Sequence, residues 1–114
     1  MACVEEMMDA TALIARFGGD EELVRELVAL FVAECPRMLS EVRDSVTRGC
    51  AEELRCSAHT FKGCVGNFTD GGPAEAARAL EHIGREGHLS LAPAALARLE
   101  AEIEQLLAVM RQFA

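Results

Sequence analysis

Tryptophan and tyrosine are absent, and all five aromatic residues are phenylalanine. A core must therefore be filled by Leu, Val, Ala and Met, and their abundance alongside Glu and Arg favours helix over sheet. No run of about 18 apolar residues occurs, which argues against a membrane span. The first ten residues, MACVEEMMDA, lack the basic-then-apolar order of a signal peptide, so the cytoplasm is the expected compartment. Basic residues are outnumbered 19 to 11, giving a net charge of −8 and no basic patch, which argues against nucleic-acid binding. Cysteines are present, but Cys3, Cys35, Cys50, Cys56 and Cys64 are odd in number and include no Cys-x-x-Cys pair. Neither a disulfide framework nor a metal site has the needed spacing, so they read as small thiols in a reducing compartment.

Half of the 114 residues are apolar, enough for one domain with one core across residues 1–114. Helix breakers divide the chain. Asp9 can cap a short helix, ATALIARF, that stops at Gly18-Gly19. Asp20 caps a long arm with Glu21 and Glu22 in its first turn, where the helix dipole favours carboxylates. Its apolar positions are Leu23, Leu27, Leu30, Phe31, Met38, Val42 and Val46, with a kink or short break expected at Pro36 and an end at Gly49. A third arm covers roughly 51–67. Pro73 opens a fourth that ends at Gly87, and a fifth follows Pro93 with Leu96, Leu99, Ile103, Leu106 or Leu107, and Met110 on one face. The pattern predicts an all-α fold, an antiparallel up-down four-helix bundle with an additional short N-terminal helix.

The third arm contains an anomaly. On a helical wheel Leu54, Ala58, Phe61, Val65 and Phe68 form its core stripe, and His59 points about 140° away from that stripe's centre. Beside His59 lie Glu52, Arg55, Cys56, Lys62, Gly63 and Gly66. Each glycine costs a helix about 1 kcal/mol relative to alanine. Two of them, one and two turns beyond His59, would leave the imidazole beside a bare patch suited to docking by another protein. Lys62, at i+3, can neutralise an anion carried on His59, and its charge is expected to favour a neutral, nucleophilic ring.

AHTFKG followed by GNF resembles the signature of the histidine phosphotransfer (HPt) domain family, and the likeness extends through FGGDEELVRELVALFVAECPRML before it and ALEHIG after it. The resemblance implies a phosphorelay intermediate: the histidine matching His59 takes phosphoryl from a receiver-domain aspartyl phosphate and passes it to another receiver. By the same resemblance Lys62 would support the phosphoryl group and Gly63 would clear the docking surface; Gly66, Arg55 and Cys56, on the same helix face, are further candidate docking positions. The family has no nucleotide site and no kinase activity, and the magnesium ion for transfer belongs to the receiver. Cys64, Val65 and the Thr69-Asp70 pair depart from the family pattern. Asn67 is expected to cap the helix end or tie down the next loop, while His82 and His88 read as structural or solvated.

The competing readings are a receiver-binding scaffold or inhibitor that transfers nothing, and a phosphotransfer segment of a larger histidine kinase. The kinase dimerisation domain is disfavoured because Thr60 follows the histidine and no proline occurs before Pro73. A starting Met and a full set of arms lead to the expectation of a free-standing monomer, served by response-regulator receivers and a hybrid histidine kinase.

Overall fold

The computed structural model describes residues 10–113, so the expected Asp9 cap and Cys3 lie outside the described residues. Five α-helices and two short 3-10 turns, with no strand among the described residues, make up the fold. We label the helices α1 (Ala10–Arg16), α2 (Glu21–Arg48), α3 (Ala51–Val65), α4 (Gly72–Glu86) and α5 (Ala92–Met110).

The boundaries follow local chemistry. Asp20 caps α2, its Oδ1 accepting from the Leu23 amide at 3.0 Å. Gly49 and Gly87 end α2 and α4 in the left-handed conformation, φ 66° and 76°, where any other residue would be strained. Pro73 is the second residue of α4 rather than the first, since Gly72 already belongs to the helix. Of the kink or short break expected at Pro36, the break is absent, and α2 runs unbroken through it. A proline inside a helix costs about 3 kcal/mol. Val28, Phe31 and Cys35 before it, and Met38, Leu39 and Val42 after it, are all buried on one face, and that burial holds the two halves together.

The core stripe of α2 also corrects the expectation. Val24, Val28, Phe31 and Cys35 face inward, while Leu23 and Leu30 are exposed, Leu30 at 65%. Two apolar rows overlap in this half of the helix, and Phe31 decides between them. Its ring packs against Phe61 at 6.4 Å and Phe68 at 5.2 Å, and Phe68 in turn meets Phe17 just beyond α1 at 5.9 Å. The α3 stripe is as expected: Leu54, Ala58, Phe61, Val65 and Phe68 are all buried. Phe31 of α2 meets Phe61 and Phe68, whereas Ser45 near the other end of α2 meets Ser57 at 3.2 Å.

Helix α4 approaches α3 through Gly84, which is buried. A Cβ there would lie 2.6 Å from the Arg55 amide nitrogen and 2.9 Å from the Ala51 carbonyl oxygen. Both are backbone atoms, so relief requires the helices to separate. Gly84→Ala is expected to destabilise the protein by about 1–3 kcal/mol despite alanine's better helix propensity, as measured by urea unfolding. Unchanged or increased stability would show that the helices do not pack at this distance.

Candidate functional site

The α3 face away from the core carries His59, with 62% of its side chain exposed. Its Nδ1 lies 2.9 Å from Oε2 of Glu81, which extends from α4 across the helix interface. Glu81 is 5% exposed. A buried carboxylate needs compensation, and three side chains provide it. Lys62 Nζ sits 2.6 Å from Oε1, and Arg85 donates to Oε2 at 3.0 Å, the oxygen that also faces His59.

Burial penalises the charged form of Glu81, but hydrogen bonds from Lys62 and His59, reinforced by their charges, outweigh it. The carboxyl is held below the usual glutamate range and is ionised at neutral pH. An ionised carboxylate only accepts hydrogen bonds, so His59 Nδ1–H is the donor. In the neutral ring the lone pair then resides on Nε2. A buried acid on a neighbouring helix thus selects the tautomer of an exposed imidazole.

This geometry gives Lys62 a partner within the protein. It is not a free cation beside the ring, because its ammonium is bonded to the carboxylate that also holds His59. The Lys62 side chain is partly exposed. Glu81 itself was passed over in the sequence, although it lies inside ALEHIG. A glutamate at the buried position of an otherwise alanine-rich helix face, with Ala74, Ala77 and Gly84 on the core side, was the available signal.

The two glycines part company. Gly63 is exposed, and a Cβ added there would have nothing within 4 Å. Gly66 is the residue after the last turn of α3, with its carbonyl accepting from Arg16 of α1 at 3.0 Å. Arg16 also binds the Asn67 carbonyl at 3.1 Å and pairs with Asp70, so one guanidinium satisfies the end of α3 and ties α1 to the following loop. Asn67 therefore acts through its backbone. Thr69, buried, accepts from the Gly71 amide through Oγ1 at 2.9 Å and shapes the start of α4.

Arg55 pairs with Glu52, and the exposed Cys56 places its Sγ 3.7 Å from Glu52 Oε2. Cys35 is in the core, where burial raises its thiol pKa and the nearby Arg43 charge opposes that only partly. His82 and His88 are exposed. Among the described residues no group of three His, Cys, Asp or Glu side chains could hold a metal ion, and no helix is long and apolar enough to cross a membrane.

Comparisons with known proteins bear on the fold and the family. The fold is similar to the crystal structure of histidine-containing phosphotransfer protein B (HptB) from Pseudomonas aeruginosa PAO1. The TM-score is 0.82 at 28% identity, covering 92% of this chain and 91% of that one. None of the curated proteins matches. Residues 26–109, which include His59, Lys62, Gly63 and Glu81, match the Hpt domain family. An exposed histidine on a helical scaffold, with that match spanning most of the sequence, leaves one conclusion: the chain belongs to the Hpt domain family.

Proposed function

We propose that His59 is the phosphoacceptor of a phosphorelay intermediate, taking phosphoryl from a receiver-domain aspartyl phosphate and passing it to a second receiver. The observation that carries this reading is the Glu81 contact, which in the neutral ring puts the lone pair on Nε2 of a largely exposed side chain. In the transfer step the Nε2 lone pair forms the N–P bond as the aspartyl O–P bond breaks. The bonding pair leaves with the aspartate carboxylate. The ring gains positive character, and the Nδ1–H···Glu81 bond stabilises it there.

Lys62 lies one turn along and, while bonded to Glu81, can turn one of its other hydrogens to a phosphoryl oxygen. Helices α2 to α5 form the antiparallel up-down bundle that carries this face, a reading supported by the opposed chain directions of α2 and α3, in which Phe31 meets Phe68 and the later Ser45 meets the earlier Ser57. A magnesium ion on the receiver, held by that partner's carboxylates, would supply charge neutralisation at the phosphoryl oxygens. The protein works as a cytoplasmic monomer without nucleic acid or kinase activity, receiving phosphoryl from the receiver of a hybrid kinase or a response regulator.

Mixing the purified chain with phosphorylated receivers from the source genome should place acid-labile, base-stable phosphate on it. If no receiver labels it, the reading fails. Docking across the bare patch also has a separable signature. Gly63→Ala should raise stability by about 1 kcal/mol, because the new methyl meets nothing and improves helix propensity. The same variant should slow transfer from the receiver. A melting curve and a transfer time course check both, and faster or unchanged transfer would remove Gly63 from the docking surface.

A further inference from the structure

His59 sits between two depressions of opposite charge. Around α3, Lys62 and Arg55 lie to one side of the histidine and Cys56 and Thr60 to the other. On the Lys62 side, a depression of about 510 Å³ between α3 and α4 is bordered by Lys62, Arg78, His82 and Arg85, with the carboxylates of Glu75 and Glu81. On the Cys56 side, one of about 370 Å³ between α2 and α3 carries Glu41, Asp44, Glu52 and Glu53 against Arg48 alone. Three cations against two carboxylates stand on one flank, and four carboxylates against one cation on the other.

Arg78 sets the first flank apart. Every other arginine among the described residues has an ion-pair partner: Arg85 has Glu81, Arg98 has Glu75, Arg48 bridges Asp44 and Glu53, and so on around the molecule. Arg78 has none, although the chain is strongly acidic and carboxylates are plentiful. It occupies the exposed i position of a row continued by His82 at i+4 and Arg85 at i+7 on α4.

We infer that Arg78, with His82 and Arg85, receives carboxylate side chains of the docking receiver, and that the acidic flank opposite prevents docking in the reversed orientation. This rests on the phosphorelay reading above. A receiver that holds a divalent cation beside its phosphoacceptor must surround it with carboxylates, so its approach face carries an anionic edge. Laid over His59, that edge is attracted to the α4 flank and repelled by the α2 flank. The polarity fixes one docking orientation and discriminates among receivers by where their acidic side chains lie.

The test uses the receiver that labels the wild-type chain fastest, in single-turnover transfer at increasing receiver concentration. Arg78→Glu should raise the half-saturating concentration about tenfold at low salt, leave the maximal transfer rate within about twofold, and lose most of that difference near 0.5 M salt. Arg111→Glu, in the turn after α5 and bordering neither depression, makes the same change in net charge and should transfer as the wild type does. Equal half-saturation for Arg78→Glu and wild type would overturn the inference while leaving the phosphorelay reading standing. So would a fall confined to the maximal rate, or an equal loss in Arg111→Glu. Absence of label on the wild type from every receiver would remove the phosphorelay reading and this inference with it.

Discussion

Glutamine in place of His59 should abolish phosphoryl uptake while leaving the helices intact. The amide nitrogen of glutamine has its lone pair delocalised and cannot attack phosphorus, so uptake should fall at least 10³-fold, below detection in a labelling assay. Stability should change little. The His59 side chain is largely exposed and its one polar contact is with Glu81, to which the glutamine amide can still donate. Circular dichroism and thermal melting would then match the wild type within about 1 kcal/mol. Retained label on the glutamine variant would transfer the role elsewhere. The exposed His82, one residue beyond Glu81 on α4, would be the first position to examine.

Glu81→Ala is expected to have the second largest effect, and on two observables at once. Without the carboxylate, Nδ1 of His59 loses its acceptor and the ring is free to take the other tautomer, with the proton on Nε2. Transfer should slow about 10²–10³-fold, less than the loss expected at His59 because the nucleophile itself remains. Nitrogen NMR of the His59 ring would show one tautomer in the wild type and a mixture in the variant, a readout that a purely structural role for Glu81 would not move. An unchanged tautomer with normal transfer would defeat the assignment.

Stability should also fall, by about 1–3 kcal/mol, because Lys62 and Arg85 lose a buried acceptor. The pH dependence has a definite sign. Glu81 has its folded-state pKa lowered, so its contribution is fully present above the ordinary glutamate range, around pH 4. That contribution is lost as pH falls through the lower folded value. Urea unfolding at a series of pH values should therefore show the wild type and Glu81→Ala converging in strong acid and separating toward neutrality. A constant gap would mean that the carboxylate is not held in its ionised form by this cluster.

The helices were legible in the sequence because their signals are local. Asp20, Gly49 and Gly87 act on the backbone next to them, and the Leu54-to-Phe68 stripe repeats at the helical period, so both survive without knowledge of neighbours. His59 was legible for the same reason: a polar residue off the apolar stripe must point outward wherever the helix packs. Where two apolar rows overlapped, as at Leu23, Leu27 and Leu30 against Val24, Val28 and Phe31, periodicity could not choose. The Phe31–Phe61–Phe68 contacts across the helices made that choice. At Pro36 local chemistry points to a break, whereas α2 stays whole because its buried face packs against α3 and α5.

The amino-acid sequence by itself determined that the chain is helical, where its helices start and stop to within a residue or two, and that an exposed histidine is followed by a lysine and a bare glycine. Only the tertiary structure decided which ring nitrogen is free to react, because the acceptor that holds the other one lies 22 residues away on α4. It also separated Gly63, open to solvent, from Gly66, half-buried with its carbonyl held by Arg16, and brought Arg78 to the same side of His59 as Lys62. Helical period and capping act over a few residues of one segment, whereas a buried carboxylate finds its partners only when two helices come within hydrogen-bond reach.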